Sequence, residues 1–258
     1  LHDVTDYRRA EQIRQDFVAN VSHELRTPLT AIRGSIDALS EESDVSVQQH
    51  RFLDIISRHS LRMERLVADL LRLARLDAGQ EEIVCASCAT HSVFSNVTAE
   101  IAPLLQDKHQ SIEVNINEDS EMFVADPVKI HDVLKNLLEN ASRYSPSESV
   151  LELSANIDDK GKNILLSVRD RGSGIPDMDL PRVFERFYRV EQSRARNPGG
   201  TGLGLAIVKH LIGLHNGKVD VVNRPGGGSV FTVCLPKKKV SSVNSIEEDF
   251  HHQAGFTA

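Results

Sequence analysis

The residues predict an α+β chain in two parts: a helical hairpin that pairs with a second copy into a dimeric four-helix bundle, followed by an α/β sandwich. Three observations point there. Two long apolar stripes of helical period fill the chain up to about Gly79. From Glu81 to Pro236, short β-rich runs mix with helical ones without strict βαβ repetition. Residues 237–258 are polar and lack any apolar period, as expected of a disordered tail. At 258 residues, 40% of them hydrophobic, the chain can fill two ordinary cores. The expected units are therefore residues 13–79 and 80–236.

In the first helix, Ile13, Phe17, Val21, Leu25, Leu29, Ile32, Ile36 and Leu39 recur every three to four residues and make one stripe. Glu41-Glu-Ser-Asp44 interrupts the pattern as a short connection. The second helix is predicted from Ser46 to Asp77. Phe52, His59, Leu66 and Leu73 stand seven apart, with Ile56, Met63 and Leu70 between them, which is a helix-packing seam. Two helices bury two such stripes poorly by themselves, so a homodimer is expected. His59 lies in the seam register and reads as a satisfied layer residue. Gly79 is placed to end the second helix.

Beyond Gly79, strands are predicted at Ile112–Ile116, Met122–Val124, Val150–Ile157, Asn163–Asp170, Lys218–Val222 and Ser229–Leu235. Helices are predicted at Ser92–Lys108, Pro127–Tyr144 and Gly204–Leu214. A sheet covered by helices on one face accommodates that order.

A formal net charge of −7 argues against nucleic acid as the main partner, and the only basic run, Lys237-Lys-Lys239, is too short to offset it. No stretch approaches the ~20 apolar residues of a membrane-spanning helix, and no signal peptide opens the sequence, so a soluble piece is expected. Cys85, Cys88 and Cys234 are the three cysteines. The Cys85-Ala-Ser-Cys88 spacing invites a zinc or redox reading. Zinc wants about four ligands, and no second pair at ligand spacing follows. Structural thiols in a reducing compartment fit better.

The most informative run is Phe17-Val-Ala-Asn-Val-Ser-His23-Glu24-Leu-Arg-Thr27-Pro28. His23 falls off the apolar stripe and faces water. Thr27, four residues on, shares its face, and Glu24 stands beside both. Pro28 has no N–H for the carbonyl of Glu24 and crowds it, so the helix is expected to bend there. A carboxylate beside an imidazole can hold one tautomer and leave the other ring nitrogen nucleophilic. By itself, the pair also fits an ordinary solvent-facing helix.

Four further segments carry chemistry, and none is a Walker loop. Asn136-Leu-Leu-Glu-Asn140-Ala-Ser-Arg143-Tyr144 sits on a helix whose other face is apolar. Asn136 and Asn140 are one turn apart, so two amide oxygens converge where a hard cation such as Mg²⁺ takes oxygen ligands, and Arg143 can meet a phosphate. Asp170-Arg-Gly172-Ser-Gly174-Ile-Pro176 follows a predicted strand. Its glycines admit a planar ligand, and its carboxylate can accept from an amino group; a plain strand-ending turn also fits. Val183-Phe-Glu-Arg-Phe-Tyr188-Arg189 gathers three aromatics in a chain with only 5% of them, an anchor for a loop. Pro198-Gly-Gly200-Thr201-Gly202-Leu203-Gly204 runs into a helix, whose free N–H groups suit phosphate oxygens. The charged stretch Glu191–Pro198 suits a lid.

In this order, the segments resemble the sensor histidine kinases of two-component signalling, with a PhoR-like flavour, over roughly Asp6 to Pro236. His23–Pro28 is similar to the family's H-box, Asn136–Tyr144 to the N-box, Asp170–Pro176 to the G1 box, Val183–Arg189 to the F-box and Gly200–Ala206 to the G2 box. The resemblance implies a dimerisation and phosphotransfer domain followed by an ATP-binding domain of the Bergerat (GHKL) fold. It implies His23 as phosphoacceptor, Glu24 as the group that orients or deprotonates it, and Thr27 as the residue that positions a hydrolytic water in a phosphatase reaction. ATP and Mg²⁺ are the implied cofactors, with Asn140 as the metal ligand, supported by Asn136, and Asp170 reading adenine. Gly172, Gly174, Gly200, Thr201, Gly202, Leu203 and Gly204 would shape the pocket and lid, and Arg143, Tyr144 and Arg189 would contact nucleotide or phosphate.

The implied partner is a response-regulator receiver domain, whose aspartate takes the phosphoryl group. Residues 1–12 resemble the exit of a PAS sensor into a signalling helix, and the implied setting is the cytoplasmic portion of a bacterial inner-membrane protein, tethered only through an upstream segment. ATP-hydrolysing members of the wider superfamily carry a water-activating glutamate where this chain has Asn136. A phosphatase-dominant protein, or a scaffold that binds ATP without transferring phosphate, is the remaining alternative.

Overall fold

The structure, a computed structural model, describes residues 24–25, 27–36, 39, 47–190 and 200–237. His23, the linker expected over 1–12, the connection at Glu41–Asp44, the lid at 191–198 and the tail from 238 onward lie outside the described residues. Two compact units divide the chain: residues up to Asp77 together with Glu185–Leu203, and Ala78–Phe184 together with the residues from Gly204 onward.

The first unit contains α1, helical across the described residues 27–36, and α2 (Val47–Asp77). On α2, the seam residues Leu66 and Leu73 are buried. His59 keeps its seam position, but it is not satisfied there. Its Nδ1 is buried without a hydrogen-bond partner among the described residues. Burial first, and then Arg62 and Arg58, hold its imidazole below the usual histidine range. Beside the seam, Leu53, Leu61, Val67 and Leu71 stay exposed on α2, as do Leu29 and Ile36 on α1.

The second unit runs β1 (Ala86–Ala89), α3 (Thr90–Gln106), β2 (Ser111–Ile116), β3 (Met122–Ala125), α4 (Pro127–Tyr144), β4 (Val150–Ile157), β5 (Asn163–Arg169), α5 (Gly204–Leu214), β6 (Lys218–Asn223) and β7 (Ser229–Pro236). Five strands form one sheet in the order β2-β4-β5-β7-β6. The β2–β4 pair is parallel and the others antiparallel. Strand alternation puts Leu151, Leu153, Ala155, Ile164, Leu166, Val168, Phe231, Val233 and Leu235 on one face, all buried. Helices α3, α4 and α5 cover that face. A chain of aligned pairs, Val114–Leu153–Val168–Phe231–Val221, crosses the whole sheet.

Strand β1 is not among the predicted strands, although the run Ile83-Val-Cys-Ala-Ser-Cys88 is β-prone. Ala-Ser-Cys-Ala lacks any alternation of large apolar residues, and its pairing with β3 alone makes it a strand. Helix α3 likewise starts at Thr90, two residues before the expected Ser92. The buried Thr90 donates its hydroxyl to the Ser120 carbonyl and its N–H to Glu121, a long-range anchor that local propensity does not reveal. Cys88 is buried with its thiol directed at the Ala86 and Ala125 carbonyls, and all three cysteines are free. Among the described residues, no group of His, Cys, Asp or Glu could hold a metal ion, and no helix is long and apolar enough to cross a membrane.

Helix α4 is held at both ends. Pro127 occupies its first turn, and the Asp126 carboxylate accepts from the N–H groups of Val128 and Lys129 at 3.0 and 3.1 Å. At its far end, the Lys108 ammonium donates to the carbonyls of Ser142, Arg143 and Ser145. Gln110 adds bonds to Ser142, Ser145 and Pro146. These satisfy carbonyls that a helix end leaves unpaired. His215 ties the end of α5 back to the same region: its Nε2 accepts from the Asp126 N–H at 3.1 Å, while Nδ1 faces the Leu211 carbonyl.

Candidate functional site

The most constrained polar group of the second unit is the carboxylate of Asp170, which follows β5 and is only 3% exposed. Its Oδ1 accepts from the N–H of Gly172 at 2.8 Å and of Ser229 at 3.1 Å. Its Oδ2 accepts the Ser229 hydroxyl proton. The Asp170 N–H in turn donates to the Ser229 carbonyl at 3.0 Å. A carboxylate has about four acceptor positions, and three are filled here, leaving capacity for one more donor on a fixed oxygen. A negative charge kept from water and fully oriented suits an exocyclic amine such as that of adenine.

Glycines make this packing possible. A Cβ on Gly172 would stand 2.8 Å from the Tyr144 carbonyl, so the loop after Asp170 lies directly on the end of α4. A Cβ on Gly228 would stand 2.2 Å from the Asp170 carbonyl, and Gly228 has φ +93°. The β6–β7 turn is thus pressed onto the Asp170 segment. Asn223 completes the contact, accepting from the Ile175 N–H at 2.8 Å and donating to the Ile175 carbonyl at 2.6 Å.

Asn136, Asn140 and Arg143 stand on successive turns of α4, opposite its buried face of Val133, Leu134, Leu137, Leu138 and Ala141. Asn136 donates its amide N–H to the Asp132 carbonyl at 2.9 Å, which orients its oxygen. A Cβ on Gly204, the first residue of α5, would meet that oxygen at 2.7 Å. The structure thus brings Asn136 and Gly204 together, joins Tyr144, Asp170 and Gly172, and packs Gly174 against Asn223. Tyr144 is exposed and Asn140 half-buried.

The remaining predicted residues belong to the first unit. Glu24 pairs with Arg62 of α2 at 2.8 Å, and Thr27 is exposed one turn along α1. The Phe187 N–H donates to the Gly202 carbonyl at 2.9 Å, and Gly202, with φ +73°, has no room for a side chain against the Phe187 backbone. The Thr201 hydroxyl donates to Asp69 of α2 at 2.9 Å and accepts from the Leu203 N–H. Gly200 and Leu203 are buried, and Arg189 is half-buried. Arg186 pairs with Asp77 at 2.6 Å. Within the second unit, Phe184 packs edge-on against Phe231, centroids 6.3 Å apart.

Ser229 was not among the predicted site residues. The signal that could have found it is the run Gly226-Gly227-Gly228 just before it, since three glycines in a hairpin turn mark a close approach of backbone to something.

Two family models match the chain and together account for well over half of it. One is "His Kinase A (phospho-acceptor) domain", over residues 13–79. The other is "Histidine kinase-, DNA gyrase B-, and HSP90-like ATPase", over 125–239. Among curated relatives, the sensor-like histidine kinase SenX3 of Mycobacterium tuberculosis is 38% identical over 247 residues, covering 92% of this chain and 57% of the relative. The phosphate regulon sensor protein PhoR of Pseudomonas aeruginosa is 38% identical over 90% of this chain and 52% of its own length. The sensor histidine kinase WalK of Bacillus subtilis is 37% identical over 93% of this chain and 39% of its own length. The chain therefore spans about half the length of the curated relatives it matches.

Among solved structures, the Acinetobacter baumannii histidine kinase AdeS matches with a TM-score of 0.64 at 26% identity, over 84% of this chain and 98% of that one. Full-length ShkA, in complex with AMPPNP, matches with a TM-score of 0.62 at 27% identity, over 89% of this chain and 46% of that one.

Proposed function

The chain belongs to the sensor histidine kinases, and from that premise we propose that it transfers the γ-phosphoryl group of Mg-ATP to its own His23 and then to an aspartate of a response regulator. The observation that carries the reading is the buried, fully oriented carboxylate of Asp170 beside the close-packed glycines Gly172 and Gly228. AMPPNP bound to the related ShkA supports the same ligand class.

The residues present fit the implied cofactors. Asp170 offers one remaining acceptor position to the adenine amine. The Asn136 and Asn140 amide oxygens on one face of α4 suit a hard cation, with Asn140 as the principal ligand. Bound there, Mg²⁺ would supply charge neutralisation on the transferring phosphoryl group. Gly204 opens α5, whose first N–H groups and positive dipole end suit phosphate oxygens, and Arg143 adds positive charge one turn beyond Asn140. Phosphoryl transfer asks the protein mainly for positioning and charge stabilisation. A neutral ring nitrogen of His23 is the attacking group, in line with departing ADP, and Glu24 stabilises the imidazolium that develops. Arg62, paired with Glu24 at 2.8 Å, holds that carboxylate in place on α1.

The exposed apolar residues of α1 and α2 support a dimer. Leu29, Ile36, Leu53, Leu61, Val67 and Leu71 are too many to leave facing water on two helices. Thr27, exposed one turn from His23, is the group placed to orient a water for dephosphorylation of the regulator.

The test is incubation with γ-labelled ATP and Mg²⁺ beside a His23→Gln variant. Acid-labile, base-stable label on the wild type and none on the variant is the expected result. Absence of label despite ATP binding would transfer the reading to a phosphatase-dominant or scaffold protein. In the same assay, Thr27→Ala is expected to keep autophosphorylation and slow loss of phosphate from the regulator. Unchanged loss would remove the phosphatase role.

A further inference from the structure

On the face of the sheet away from the helices, one carboxylate gathers three guanidinium groups. Glu152 of β4 receives Arg169 Nη1 at 3.3 Å on Oε2, and Arg171 Nη2 at 2.9 Å and Arg224 Nη2 at 3.0 Å on Oε1. The Glu152 side chain is 15% exposed and that of Arg224 19%. Burial alone would push the Glu152 carboxyl up, yet Arg224, Arg169 and Arg171 together hold it below the usual glutamate range.

The three arginines come from different kinds of places. Arg169 lies on β5, directly paired with Glu152 across the β4–β5 register. Arg171 immediately follows Asp170. Arg224 opens the β6–β7 turn, where its N–H donates to the Gly228 carbonyl at 2.9 Å. That turn leads into Ser229, and the loop after Asp170 contains Gly172. These are the two segments that supply every hydrogen-bond partner of the Asp170 carboxylate.

We propose that Glu152 is a positioning residue for the nucleotide site: by binding Arg171 and Arg224 at once, it fixes the spacing between the loop after Asp170 and the β6–β7 turn, and so the geometry of the Asp170–Ser229 pair that reads the base. This rests on the nucleotide-site reading given above. Glu152 sits on a central strand paired on both sides, so it is a rigid reference for two segments that are otherwise loops. Charge-assisted bonds suit that task because they are short and directional.

The experiment measures binding of a fluorescent ATP analogue to the full chain and to Glu152→Gln, Arg171→Gln, Arg224→Gln and Arg169→Gln variants. Glu152→Gln is expected to weaken binding by about tenfold, the loss of roughly one charge-assisted hydrogen bond, and to shrink the preference for ATP over GTP. Arg171→Gln and Arg224→Gln follow it, while Arg169→Gln, which removes the same charge from a strand, stays within about twofold of wild type. Amide exchange in Glu152→Gln accelerates over 170–175 and 224–229 and stays unchanged in α3.

Wild-type affinity in Glu152→Gln, a loss in Arg169→Gln equal to that in Arg224→Gln, or exchange accelerated evenly across the unit would overturn the proposal. Should Glu152→Gln not fold, the comparison of Arg171→Gln and Arg224→Gln with Arg169→Gln decides it alone. A wild type that binds no nucleotide would instead overturn the site reading itself.

Discussion

Ser229 and His59 show how much single side chains decide. Among the described residues, the Ser229 hydroxyl is one of three donors to the Asp170 carboxylate, and the only one from a side chain. Ser229→Ala keeps the backbone bond and deletes the hydroxyl, so ATP affinity is expected to drop by about fivefold, near 1 kcal/mol, in a calorimetric titration. His59 makes the opposite point. Its folded pKa lies below the usual value because of burial, Arg62 and Arg58. As pH falls through about 6.5, the unfolded chain takes up the proton first, so stability falls with the pH until the folded imidazole also titrates. His59→Leu is expected to flatten that slope between pH 7 and 5 and to raise stability by about 1 kcal/mol, since a buried unpaired nitrogen is removed from the seam. Thermal melts across that range check both. The roles proposed for Asp170 and Asn140 were read from their motifs. That Ser229 serves Asp170 could not be read, because 59 residues separate them and no local period links a turn to a strand end elsewhere in the sheet.

Among the elements, α4 matters most, since it carries Asn136, Asn140, Arg143 and Tyr144. Its extent matched the apolar period, a local signal, and in the structure the Asp126 cap and Pro127 fix its start. Its far end is another matter. Lys108 and Gln110, brought in from the segment between α3 and β2, bind the carbonyls there. Burial, followed by Arg143, holds the Lys108 ammonium below its usual range. Replacing it with Met removes one donor from each of three carbonyls, two of which keep Gln110, and Lys108→Met is expected to destabilise the second unit by about 1–3 kcal/mol and to weaken nucleotide binding, read from chemical denaturation and from ATP titration. Little effect on either would mean that Gln110 suffices as the cap. Strand β1 was only partly legible for a related reason: its run is β-prone, but four small side chains show no alternation, and pairing with β3 sets the strand.

At the scale of the molecule, the apolar faces of α1 and α2 predict the assembly. Leu53 and Leu71 stand exposed at 55% and 58% on a helix that already buries a separate seam. Placing a charge there should cost nothing in a monomer and a great deal in a bundle of two copies. Leu71→Asp is expected to turn the dimer into a monomer in light scattering while the second unit still binds ATP. A dimer that persists would move the interface elsewhere. The heptads of α2 and the alternation of the sheet strands were legible in the residues, because each is written in neighbours a few positions apart and obeys a helical or strand period, whereas the five boxes were read from the family resemblance. The register that joins Leu153 to Val168 and Phe231, the pressing of Gly228 onto Asp170, and the meeting of Arg171 and Arg224 at Glu152 belong to the tertiary structure alone. They pair residues 15 to 72 positions apart, and which of many compatible partners meet is settled by the path of the folded chain.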